Sequence, residues 1–148
     1  MNLKTLATNP AEIPMTPTLI NDWTIQQTPL PGDLFGDICW PTKTITIDPR
    51  LPAAARRSTL AHEIEHARRG PAPDDPVLAA REELAVEKAA ARRLIDIHAL
   101  ADAMIESDDL AYVADALDVD MALLRTRLEN LHPSEVAYLR TARQAATL

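Results

Sequence analysis

Disulfides are the first thing this chain does without. Its one cysteine, Cys39, has no internal partner, so the fold is held by packing, and nothing points to an oxidising compartment. Aromatic residues are nearly as scarce, with one Phe, two Trp and two Tyr in 148 residues. The core must come from Leu, Ile, Val and Ala, which suits closely packed helices. No apolar run is long enough to span a bilayer, and no signal-peptide-like segment opens the chain, so a cytoplasmic protein without membrane attachment is expected. Positive charge is also short, 15 Lys and Arg against 22 Asp and Glu. The excess is uneven: residues 1–70 carry seven of each sign, whereas residues 71–148 carry eight basic and fifteen acidic. An acidic second half argues against nucleic acid as the partner and favours a protein, or simple solubility.

What is present reads as strands followed by helices. Residues 1–20 are expected to be irregular, because Pro10, Pro14 and Pro17 interrupt any period. Trp23 to Thr28 alternates like a strand; Pro29 to Gly32 and Gly36-Asp37 read as turn or extended loop. Thr42 to Asp48 is the best strand, β-branched at five of seven positions, with Ile45 and Ile47 on one face. From Pro52 the pattern turns helical through Arg69 and stops at Gly70-Pro71. Asp74-Asp75-Pro76 starts a second helix, expected to run to about Ser107 with a break near His98. Asp108 or Asp109 caps a third, Asp118-Val119-Asp120 turns into a fourth, and His132-Pro133-Ser134-Glu135 begins a fifth. The size fits one domain, divided as residues 21–107 and a helical C-terminal extension, 108–148. No internal repeat is found.

The first of these helices contains His62-Glu63-Ile64-Glu65-His66. Histidines four apart on a helix emerge from one face about one turn apart, a spacing that lets both imidazoles bind a single Zn²⁺. Glu63 then lies where it can take a proton from a zinc-activated water. A catalytic zinc needs a third protein ligand. On the second helix Glu82 shares the charged face with Arg81, Lys88 and Arg92, while Glu83 and Glu87 fall in line with Ala90, Leu94 and Ile97. Carboxylates in an apolar stripe cost several kcal/mol each when desolvated alone, and a metal or a metal-bound histidine offsets that. Glu83 and Glu87 are four apart, so one can bind zinc while the other accepts a hydrogen bond from a ligating histidine.

Thr59-Leu-Ala-His-Glu-Ile-Glu-His-Ala67, followed by Glu83-Leu-Ala-Val-Glu87-Lys-Ala-Ala-Ala-Arg-Arg-Leu-Ile95, resembles the ImmA/IrrE-type zinc metallopeptidases, in particular short versions from actinobacteriophages and prophages. With the Thr44–Asp48 strand, the resemblance covers roughly residues 20–97. It implies that Glu83 is the third zinc ligand and that Glu87 stands in the second-shell position usually held by Asp or Asn. It also implies that the substrate is a specific intracellular regulator such as a phage repressor, met in the host cytoplasm if the chain is phage-encoded. Two departures stand out. Glu65 is charged where such motifs have an uncharged residue, with Arg68 or Arg69 expected to neutralise it on the surface. Ala89 and Ala90 replace an aromatic.

Other polar residues read as structural. His98 lies fifteen residues beyond Glu83 and reads as a core or rim histidine, His132 as part of a helix start, and Cys39 as a small buried apolar residue. Nothing singles out Tyr112 or Tyr138 as an oxyanion donor. Residues 110–131 have a helix-turn-helix cadence, but the second helix opens on acidic Asp118 and Asp120 and offers Met121, Ala122 and Leu123. Packing or protein docking therefore fits better than a DNA-accessory role. The expected architecture is α+β and zincin-like, with a small antiparallel sheet packed on the His62–His66 helix and the long glutamate helix. The expected function is zinc-dependent peptide hydrolysis; the alternative is a non-catalytic zinc-containing module that docks a repressor or host protein.

Overall fold

The structure, a computed structural model, describes residues 18–20 and 22–147; the irregularity expected of residues 1–17 lies outside them. Four strands precede six helices: β1 (Thr18–Ile20), β2 (Trp23–Gln27), β3 (Gly36–Cys39), β4 (Thr44–Ile47), α1 (Ala53–Arg69), α2 (Pro76–Leu94), α3 (Ile97–Glu106), α4 (Leu110–Ala116), α5 (Met121–Glu129) and α6 (Pro133–Ala146). The protein is α+β. Two strands were not legible: β1 takes up the end of the proline-rich segment, and Gly36-Asp37 opens β3 instead of a turn.

The sheet is mixed, not antiparallel. Its order is β1-β2-β4-β3, with β1–β2 and β3–β4 antiparallel but β2–β4 parallel. The chain leaves β2, crosses to the far edge as β3, and turns back so that β4 slots between them. The centre falls to the strand richest in β-branched residues: Ile45, Thr46 and Ile47 are all buried, and a central strand has no solvent edge. Asp48 pins the crossing loop, accepting from the Leu30 and Arg50 backbone N–H groups at 2.9 Å each. The Arg50 guanidinium beside it holds its carboxyl well below the usual range.

α1 is the hinge between two cores. Leu60 and Ile64 pack on Ile25, Ile45 and Ile47 of the sheet. Ala61, on another side of the helix, joins Ala90, Ala91, Leu94 and Ile95 of the α2 region. The principal neighbours of α2 are α1 and α5, so the expected packing of the glutamate helix on the sheet is replaced by packing on α1, which lies between them. Alanines at the α1–α2 contact let the helices approach closely. Val113, Val119, Leu123 and Leu124 enter the same core, which therefore runs on past residue 107. Leu123 and Leu124, in the second helix of the helix-turn-helix cadence, are spent on packing.

Aspartates set the helix boundaries. Asp75, Asp96, Asp109 and Asp120 each cap an N-terminus with the side chain. The break after α2 comes at Ile95-Asp96, before His98, because Asp96 accepts from the His98 and Ala99 N–H groups and so starts a new helix. Two buried arginines close the far ends. Arg57 donates to the carbonyls of Leu117 and Asp118 at 2.7 and 3.0 Å, where Asp118 has a φ of 53°. Arg127 donates to Ile95 O at 3.0 Å and to both carboxylate oxygens of Glu135. Glu135 also completes a capping box with His132.

Candidate metal centre

Residue types on α1 and α2 converge at one place. His62 and His66 project from α1 with their Nε2 atoms 3.2 Å apart, and their rings meet edge to face at 4.8 Å. From α2, Glu83 directs one carboxylate oxygen to each histidine: Oε1 lies 2.8 Å from His62 Nε2 and Oε2 lies 3.1 Å from His66 Nε2. One donor atom from each of the three lies within 4.8 Å of the others. Two ligands at about 2.0–2.1 Å from a tetrahedral zinc are roughly 3.3 Å apart, so the His62–His66 separation fits such an ion without rearrangement. The donor set, two imidazoles and a carboxylate, is one that Zn²⁺ takes in sites with an open position. Burial also pushes His66 below the ordinary histidine value, opposed by the Glu83 charge; this favours the neutral ring that a ligand needs.

Glu63 stands beside this cluster in a different environment. It is 8% exposed, and among the described residues none donates a hydrogen bond to its carboxylate. Burial pushes its carboxyl up to about 7, helped by the negative charges of Glu83 and Asp37. A buried carboxyl near neutrality is suited to exchanging protons. Its position depends on Gly36. A Cβ there would lie 2.7 Å from Thr59 Cγ2 and 2.8 Å from Glu63 Oε1, so strand and helix approach this closely only over a glycine. Gly36 thus marks close backbone approach, a second meaning that an isolated Gly carries beside the turn.

Of the sequence-predicted residues, His62, His66 and Glu83 come together, with Glu63 adjacent. Glu83 does so for a reason other than the expected one: its side chain is 48% exposed, so the apolar-stripe reading is corrected, and the charge has water on one side. Glu82 lies on the polar face as expected and pairs with Arg69 at 2.5 Å. Glu87 is not hydrogen-bonded to either histidine; it is half-buried and lines a groove next to Glu63. The geometry thus gives it no hydrogen bond to a ligating histidine. Glu65 is likewise corrected. It is buried, and its partner is Arg93 of α2 at 2.5 Å, neither Arg68 nor Arg69.

The residues set aside stay outside the centre. His98 stacks edge-on against Tyr138 and meets its hydroxyl at 2.7 Å. His132 caps α6, Tyr112 donates to Glu106, and Cys39 is half-buried. Sequence reasoning missed Leu34, Phe35 and Asp120, which line the groove with Glu63. Two apolar residues exposed beside a motif helix leave no periodic signal. Among the described residues, no helix is long and apolar enough to cross a membrane. Comparison of the chain with protein-family models, curated proteins and solved structures gives no match.

Proposed function

We propose that the chain is a zinc-dependent peptidase of the ImmA/IrrE type that acts in the cytoplasm on a specific regulatory protein, such as a phage repressor. The observation that carries this reading is the convergence of His62, His66 and Glu83 from two helices beside a buried Glu63 that lines an open groove and, among the described residues, accepts no hydrogen bond. His62, His66 and Glu83 would hold the metal. When bound, zinc supplies Lewis acidity, acidifying water and polarising a carbonyl. Glu63 removes the proton from the attacking water as the carbonyl carbon is approached, then delivers it to the departing amine nitrogen. The elevated carboxyl of Glu63 supports both transfers, since a group near neutrality can accept and return a proton without a large barrier. A purely structural metal site has no use for such a carboxylate next to an accessible groove, and this favours peptidase over docking module.

The test is co-expression with a candidate repressor, scored for repressor fragments. Wild type should yield fragments, and Glu63→Gln should yield none while keeping its zinc and its melting temperature, because Gln preserves shape but takes no proton. Equal derepression by both chains, with no fragment from either, gives the reading to the docking module.

A further inference from the structure

Glu87 and Asp120 have no part in the zinc cluster, yet both face the same groove. That groove, about 400 Å³, has Thr59, His62 and Glu63 of α1 as its floor. The loop before β3 contributes Asp33 together with Leu34 and Phe35, which are 52% and 54% exposed. Glu87 of α2 and Asp120 at the start of α5, both half-buried, also line it. Among the described residues, no Lys or Arg lines it. Asp120 commits Oδ1 to the Leu123 N–H at 2.8 Å, and no described residue pairs with the Glu87 carboxylate. Glu63, more than nine-tenths buried and without a hydrogen-bond donor among the described residues, lines the same space. The groove is therefore a built cleft and not a patch of surface acid. Glu87 and Asp120 are not among the residues close enough to share a metal ion, which argues against a second cation there.

We infer that this cleft takes an extended peptide whose Lys or Arg side chain lies against Glu87 and Asp120, while an adjacent apolar side chain covers Leu34 and Phe35. The inference rests on the peptidase reading and names its substrate class. The carboxylates of Asp33, Glu87 and Asp120 beside exposed apolar area select for a basic residue next to an apolar one; the same acids repel acidic segments and nucleic-acid phosphates. Glu87, matched by the resemblance to a position beside the ligands, becomes a specificity residue.

The probe is a series of short fluorescent peptides of Ala and Leu carrying one Lys or Arg, with norleucine, citrulline or Glu substituted at that position. Binding to the zinc-loaded Glu63→Gln chain is read by anisotropy. Lys and Arg peptides should bind about tenfold tighter than their neutral isosteres, as expected for one charge-assisted contact, with Glu peptides weakest and the preference shrinking at high salt. A Glu87→Gln/Asp120→Asn double variant should level the series while keeping its zinc and melting temperature, since Asn also caps α5. Equal affinity across the series, or a preference that survives the double variant, overturns the inference. Charge-blind cleavage by wild type also overturns it and leaves the peptidase reading standing. Charge-dependent binding lost in the double variant supports it, even if wild type cleaves none of the bound peptides, a result that sinks only the peptidase reading.

Discussion

Two of the carboxylates that tie α1 to α2 are built in opposite ways. Glu65, on α1, is 6% exposed and grips Arg93. Glu83, on α2, is 48% exposed and faces two histidines. The first is an ion pair whose carboxylate is buried and whose guanidinium is only 24% exposed, so it fixes how the helices sit. The second keeps one side in solvent, as a group must if a metal and a substrate are to reach it. Read from helical phase alone, their burial comes out reversed, with Glu65 on the surface and Glu83 in an apolar stripe. α1 has core on two sides and little surface left in its middle, so Glu63 is buried under β3 and Glu65 against Arg93.

The largest expected effect breaks the solvent-facing end. His62→Ala and His66→Ala should each take the protein from about one zinc per chain to nearly none, measured by metal analysis after gel filtration. Glu83→Gln should weaken zinc on the order of a hundredfold while Glu82→Gln barely changes it. An equal loss from Glu82→Gln would mean that the polar-face pair with Arg69 is part of the centre. Neither glutamate change should move the unfolding midpoint of the metal-free chain by much, since both side chains keep access to water.

The buried end should respond in the opposite sense. Glu65→Ala leaves Arg93 without its carboxylate and should cost roughly 2–3 kcal/mol in urea unfolding, somewhat below a fully buried pair because Arg93 is partly exposed. Zinc stoichiometry should survive in the fraction that folds. A cost no greater than that of an ordinary surface substitution would show that the two ends do not differ as described. Gly36→Ala tests the contact that links sheet to site. The added Cβ must displace Thr59 or Glu63, and should cost about 1–3 kcal/mol together with a loss of turnover larger than any loss of zinc.

A third carboxylate sharpens the contrast through pH. Arg127 holds the Glu135 carboxyl down at about 2, with the His132 N–H assisting. A carboxyl lowered on folding contributes stability that is present above its ordinary value near 4.5 and lost as pH falls toward 2. Wild type should therefore melt higher than Glu135→Gln near neutrality, with the gap closing over that acid window. A gap that stays constant as the pH falls would assign the effect to packing at the α6 start instead of to charge.

Local chemistry was legible in the sequence because its causes are local. The spacing of His62 and His66, the proline and aspartate at the start of α2, the β-branched run of β4 and the capping box at His132 each act within a few residues, and each is found where the pattern puts it. The polar face of Glu82 and the helix-start role of His132 follow from the same short-range rules. Only the tertiary structure decided that β4 pairs parallel to β2, that Gly36 lies in a strand pressed on Glu63, that Glu65 reaches Arg93, and that Glu87 and Asp120 line one groove. These are contacts between residues tens of positions apart. Helical phase states which way a side chain leaves its own helix, but which element stands opposite, and whether water stands there instead, is set by the packing of the whole chain.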